Sequence, residues 1–349
     1  YDIGVEYIFI NNLAGNMKTK NFQIPDGIEY YMPSDAVKLE SIKSKILKIY
    51  AKYKYSYVIP PIFDNLENLL NLKSTDLDTE TAFVLDKQTG SEIGIRADIT
   101  PQISKIDYQM TKGIGNSRLS YMGDILRLSP GPFDRINPYQ TGAEYFGKLS
   151  NSTDIEIIKL MIDLVSLSNE KKIVVELGDL SFINNLLLDL NLTNFNRLAL
   201  IDLINLKSKC EIKEFFNINK LSNKKLNLLI ELINLSGDIK VLKELKSLIK
   251  NHKTKVSLEL TNLTFIANSI NKFRGISEVQ IDLCELHGFN YQSGLIYTAY
   301  VPNLRKEIAR GGRYTAYNDH SDKPRYATGF SLDIKDILNL SVGRRDTYV

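Results

Sequence analysis

Between residues 82 and 146 the chain twice reads as strand, turn, strand. Ala82 to Leu85 and Glu92 to Arg96 flank Lys87-Gln88-Thr89-Gly90, a hairpin signal. Arg118 to Leu128 and Gln140 to Phe146 flank a loop over 131–138 rich in Pro, Gly, Asp and Asn. Strands joined in this way pair antiparallel, which excludes a doubly wound parallel sheet and predicts an α+β fold. Helical patterns stand on both sides. Val37, Leu39, Ile42, Ile46, Leu47 and Tyr50 share one face of a helix predicted over 35–53, capped by Ser34-Asp35. Tyr57 to Ile59 is a short strand stopped by Pro60-Pro61. Thr100 reads as the N-cap of a helix running to about Met110, with Pro101 at its first position. Thr153 to Glu156 reads as a capping box ahead of Ile157, Leu160, Met161 and Leu164.

From about 180 to 275 the texture changes. Leu, Ile, Asn and Lys dominate, Gly and Pro nearly vanish, and apolar residues recur at helical spacing. The reading is a helical insert over 179–275 within a core formed by 21–178 and 276–342. Strands resume at Val279 to Leu283, Ser293 to Tyr300, near Lys306 to Ala309, and Tyr326 to Leu332. A last helix follows from Asp333 to Leu340. Residues 1–20 are expected to be a tail or upstream read-through, with Met17 as a native start, and 343–349 a second tail.

The charge balance narrows the function. Forty-four Lys and Arg stand against 41 Asp and Glu, a net charge of +3, and the basic residues are scattered. Neither nucleic acid nor a membrane surface is an expected partner. No apolar run approaches the roughly 20 residues of a membrane span, and the N-terminus does not read as a secretory signal. Cys210 and Cys284 lie far apart with no His at ligand spacing, which reads as two reduced thiols in a cytoplasmic protein with no metal.

Several segments carry a resemblance. They are Pro25-Asp26-Gly27, Arg96-Ala97-Asp98-Ile99-Thr100-Pro101-Gln102, Gly142-Ala143-Glu144, and Ala309-Arg310-Gly311-Gly312-Arg313-Tyr314 followed by Ala327-Thr328-Gly329-Phe330-Ser331. Their order and spacing resemble the histidyl-tRNA synthetase branch of the class II aminoacyl-tRNA synthetases. Within it they are most similar to the ATP phosphoribosyltransferase regulatory subunits. The resemblance covers about 21–340 and implies an antiparallel sheet flanked by helices. It also implies a hetero-octamer with a short-form ATP phosphoribosyltransferase catalytic subunit, dimerisation through 35–60, L-histidine as effector, and no cofactor. The alternatives are a truncated histidyl-tRNA synthetase, or a class II-like module associated with tRNA or a kinase.

A ligase of this class stabilises a pentavalent phosphorus with arginines, whose planar charged fork suits phosphate. By resemblance Arg127 occupies the first such position, but Ser129 replaces the Glu that follows in the ligase pattern. Asp336 stands where the second Arg belongs, which puts an anion beside a polyanion. His287 stands where both branches carry Arg. The chain ends soon after the last predicted helix, so no anticodon-binding domain of roughly 100 residues is expected there. These departures predict a subunit without catalytic residues.

The same resemblance implies a histidine pocket. Asp98, Thr100 and Gln140 would meet the α-amino group, Glu144 the imidazole and Arg127 the carboxylate. His287 joins this set, Tyr291 would supply a ring wall, and Gly311, Gly312 and Arg313 would form a ligand loop. On the residues alone, other readings stand. Asp98 to Pro101 also reads as turn and cap chemistry, Glu144 as a solvated strand residue, and Gly311-Gly312 as a tight turn. Arg313 also reads as a surface ion pair and His287 as a hydrogen-bonded, non-catalytic histidine.

Overall fold

A computed structural model describes residues 27–70, 75–128, 130–131, 133–252, 256–285, 292–318 and 323–343. The expectations for 1–20 and 344–349, for Pro25-Asp26, and for Ser129, His287 and Tyr291 lie outside the described residues.

Helix α1 (Pro33–Lys52) buries Ile42, Ile46 and Tyr50, as the periodicity predicts, while Val37 stays exposed. Its cap differs from the expected Ser34-Asp35. Met32 is the N-cap in extended backbone and Pro33 is the first helical residue, where its missing N–H costs nothing. Strand β1 (Ser56–Val58) follows. Strands β2 (Phe63–Asn65), β3 (Ala82–Leu85) and β4 (Glu92–Ile95) form a small antiparallel sheet in the order β2-β4-β3. Short helices α2 (Leu66–Leu69) and α3 (Thr75–Glu80) lie between β2 and β3. After α4 (Thr100–Thr111) come β5 (Ser117–Asp124), β6 (Tyr139–Phe146), α5 (Asn151–Val165) and β7 (Ile173–Asp179).

Six helices then run from α6 (Ser181–Leu190) through α7 (Asn194–Asn205), α8 (Lys209–Ile218), α9 (Asn223–Asn234) and α10 (Val241–His252) to α11 (Ser257–Ile270), with the short strand β8 (Ser236–Asp238) among them. Strands β9 (Ile276–Asp282), β10 (Gln292–Tyr300), β11 (Ala309–Asn318) and β12 (Pro324–Asp333) lead into α12 (Ile334–Ser341). No described helix is long and apolar enough to cross a membrane.

The main sheet has the order β1-β5-β6-β12-β11-β10-β7-β9-β8. Its central pairs are antiparallel, and only β1 with β5 and β7 with β9 run parallel. Strand β7 has no counterpart in the sequence reading, and β8 places a strand within the stretch read as helical. The strand expected near Lys306 to Ala309 begins at Ala309 instead. The strand expected to reach Leu128 ends at Asp124, because the backbone N–H groups of Leu126 and Leu128 turn away to Arg96 O and Glu80 O.

Two caps move. Thr100 is the first helical residue, not the N-cap; Ile99 is the N-cap, and Asp98 takes the Thr100 N–H at 2.7 Å. The box before α5 sits one turn earlier, with Ser150 as N-cap and Thr153 as its reciprocal partner. Glu156, freed from that role, pairs with Arg118 at 2.9 Å.

Alternation along β6 sets the two faces. Ala143 and Tyr145 join the buried cluster that includes α1 and α5. Gln140 and Glu144 point the other way, where Ile99, Ile103, Tyr121 and Tyr314 form a second buried cluster. The site lies on that second face.

Candidate functional site

The site is built on a row of facing strand residues, Glu144 on β6, Gly329 on β12 and Gly312 on β11. A side chain at Gly329 would collide with the Glu144 carboxyl, so the missing Cβ lets Glu144 lie across the neighbouring strand. Asp98, Thr100, Glu144, Gly312 and Ser331 line a small cavity that opens to solvent.

Glu144 is only 2% exposed, so it is not a solvated strand residue. Tyr314 Oη donates to its Oε2 at 2.9 Å and Tyr121 Oη to its Oε1 at 3.2 Å. Thr100 Oγ1 lies 3.2 Å from that same Tyr121 hydroxyl. Burial pushes the carboxyl up to about 8; the tyrosine hydrogen bonds pull against this, and the nearby Asp98 charge adds to it. Near neutral pH the group is therefore a largely neutral acid. A ligand N–H or cation arriving beside it would favour the anion.

Gln140 is 3% exposed. Its Oε1 accepts the Ile99 N–H at 2.9 Å, and its Nε2 is buried without a partner. The amide orientation is fixed by chemistry, because a backbone N–H can only donate. Gln140 thus offers a donor, which suits a carboxylate better than the ammonium expected from the sequence. It lines a second small cavity with Arg127, Asp134, Lys306 and Asp336. Both cavities are lined by Arg310 and Ser331. Arg127 holds Ala97 O through Nε at 3.3 Å and pairs with Glu80 at 3.6 Å.

The wall of this second cavity carries the departure that the sequence placed at Asp336. That carboxylate is 3% exposed. It accepts from Arg135, and Lys306 Nζ lies 3.1 Å away. Arg135 also binds Asp333 and Glu29, each at 2.9 Å, and Lys306 reaches Asp134 at 2.8 Å. Burial alone would lower the Arg135 and Lys306 pKa values; the surrounding carboxylates outweigh it and raise both. The local cations are thus already held by carboxylates of the same chain.

The structure brings Asp98, Thr100 and Glu144 together and sets Gln140 and Arg127 in the adjoining cavity. The expected ligand loop is corrected. Gly311, Gly312 and Arg313 are residues of β11, so they form neither a loop nor a tight turn. Arg313 faces away from the cavity to α5, where its Nε meets Asp154 at 3.0 Å, and Asp154 is fully buried. It is therefore not a surface pair, and it is not among the residues that line the cavity. Sequence reasoning missed Tyr121, Tyr314, Arg135 and Lys306 as members of the site. Tyr314 stands inside a quoted motif, and Tyr121 shares the alternation of β5. Arg135 and Lys306 lie in connections, where no periodicity marks them.

Fold and site together define a histidyl-tRNA synthetase-like protein, and the family model described as histidyl-tRNA synthetase matches residues 27–337. An ATP phosphoribosyltransferase regulatory subunit from Thioalkalivibrio sulfidiphilus is 34% identical over 319 residues, covering 91% of this chain and 81% of the relative. This chain belongs to the ATP phosphoribosyltransferase regulatory subunit family. Among solved structures, an ATP phosphoribosyltransferase regulatory subunit/histidyl-tRNA synthetase from Bacillus halodurans superposes with a TM-score of 0.79 at 23% identity, covering 92% of this chain and 83% of that one. A chain from an ATP phosphoribosyl transferase (HisG:HisZ) complex of Thermotoga maritima gives 0.64 at 20% identity, over 84% and 96%. At these identities the two structures establish the fold.

Proposed function

We propose that this chain is the regulatory subunit of ATP phosphoribosyltransferase, that it acts in the first step of histidine biosynthesis, and that it is not itself a catalyst. The observation that carries the last point is the buried group around Asp336. A carboxylate stands where the ligase pattern has a phosphate-gripping arginine, and it holds Arg135 and Lys306 for itself. A triphosphate there would have to displace those carboxylates from their cations or lie beside them unpaired, and either is costly in a partly dry site.

The partner is a catalytic ATP phosphoribosyltransferase subunit. The relatives' name and the Thermotoga maritima complex support this. We place the pair in the cytoplasm, as a hetero-octamer with L-histidine as effector. Asp98 and Glu144 offer two carboxyl groups for the ammonium and imidazole of histidine. Gln140 Nε2 offers a buried donor for its carboxylate. Histidine would then favour one assembly state with a coupling of about 1–3 kcal/mol.

The test is reconstitution with a short-form catalytic subunit. Adding this chain should raise turnover, and histidine should then inhibit. Full, histidine-sensitive activity of the catalytic subunit alone defeats the proposal. Asp98→Asn, which keeps an acceptor for the Thr100 N–H, and Glu144→Ala should weaken histidine inhibition at least tenfold while the complex still elutes as one species.

A further inference from the structure

The helical segment carries a groove that the pocket chemistry does not use. It lies between α10 and α11, opens to solvent, and has an apolar lining that includes Leu242, Leu260 and Phe265. Phe265, 56% exposed, brings an aromatic ring to this groove. The rim is basic. Lys243 and Lys246 line it from α10, and Lys272, just past the end of α11, faces them.

No carboxylate is among the lining residues. Among the described residues Lys243, Lys246 and Lys272 form no ion pair, whereas the adjacent Lys240 is partnered by Asp238 at 3.2 Å. The band is hidden in the sequence because two helices contribute to it.

We propose that this groove docks an acidic amphipathic α-helix of a partner protein. Lysines three residues apart on α10 are separated by about 4.5 Å along its axis, so a helix lying alongside can offer Asp or Glu at matching spacing. Its apolar stripe would cover Leu242, Leu260 and Phe265, as in other helix-in-groove recognition. Nucleic acid fits less well. A phosphate backbone gains nothing from an aliphatic floor, and single strands use several aromatic platforms where this groove offers one.

The inference stands apart from the effector pocket and is tested on the full chain by fluorescence anisotropy. The probe is an 18-residue labelled peptide, helical by design, with a Leu stripe flanked by Glu. Micromolar binding is expected, with a loss of at least tenfold for Lys243→Glu/Lys246→Glu, for Phe265→Ser, and for a peptide of the same composition in scrambled order. Raising the salt from 0.05 to 0.5 M should weaken binding severalfold. These side chains are exposed, and unchanged melting temperatures would confirm that the variants fold. Tighter binding of an RNA hairpin than of the peptide, peptide binding indifferent to the variants, or no binding overturns the proposal.

Discussion

Glu144 is the side chain on which the candidate site turns, and its surroundings make its protonation a property of folding. In the unfolded chain its carboxyl titrates near the ordinary 4.5; in the folded chain burial moves it to about 8. Between those values the folded state keeps a proton that the unfolded state has lost. The stabilisation is complete below pH 4.5 and is lost as pH rises through 8. A shift of this size corresponds to an upper bound of several kcal/mol. Glu176 on β7, raised to about 7 by burial and the neighbouring Asp282 and Glu285, acts with the same sign. Glu144→Gln removes the ionisation and keeps a polar group between Tyr121 and Tyr314. Its melting temperature should therefore fall less than that of the wild type between pH 5 and pH 8 in scanning calorimetry. Parallel pH profiles for the two proteins would show that Glu144 is already ionised in the fold.

At the scale of elements, α12 is held in place by a buried charge network. Its N-cap, Asp333, accepts the Lys335 N–H at 3.0 Å, and Asp336 in its first turn meets Arg135 and Lys306. Restoring the ligase-type residue here should therefore damage the fold without restoring chemistry. Asp336→Arg would put a third cation against two that have each lost one of their carboxylate partners, at a cost of about 3–5 kcal/mol. Urea unfolding should show the loss, and ATP–pyrophosphate exchange should stay at background. A stable variant with histidine-dependent exchange would reverse the reading. How much of this was legible in the sequence depends on range. The β3–β4 hairpin and the buried stripe of α1 follow from local periodicity. The cap of α5 did not, because Ser150 and Thr153 are both good cap residues, and the long-range pairing of Asp154 with Arg313 accompanies the choice of the first. Alternation indicated that Glu144 faces away from Ala143. It did not indicate that Tyr121 from the neighbouring β5 and Tyr314 from β11 would both close over it. The charge network of Arg135 and Lys306 joins residues about 200 positions apart, beyond the reach of any local pattern.

At the scale of the molecule, the question is whether the stretch from α6 to α11 is an added body or part of one core. Sequence texture set it apart as an insert, but the buried side chains do not break at its edges. A single apolar cluster includes Ile46 of α1, Met161 of α5, Leu229 of α9, Leu263 of α11 and Ile337 of α12. Polar ties cross the same boundary. Asn151 on α5 donates to Asn262 on α11 at 2.9 Å, Lys207 pairs with Asp282 on β9, and β8 adds an edge strand to the main sheet. Fully burying one Leu or Ile contributes about 1.5–3 kcal/mol, so uncovering a handful of such side chains rivals the roughly 5–15 kcal/mol by which a typical protein is stable. Excising 181–270 and joining the parallel strands β7 and β9 with a flexible linker of about 15 residues, long enough for the crossover that parallel neighbours need, should therefore not leave a folded remainder. We expect a product that binds a hydrophobic dye and melts without a cooperative transition. A remainder that melts cooperatively within a few degrees of the full chain would show instead that the helices fold on a core complete without them. In that case the candidate pocket should also survive in the shortened chain, because Asp98, Thr100, Gln140 and Glu144 all lie before residue 181.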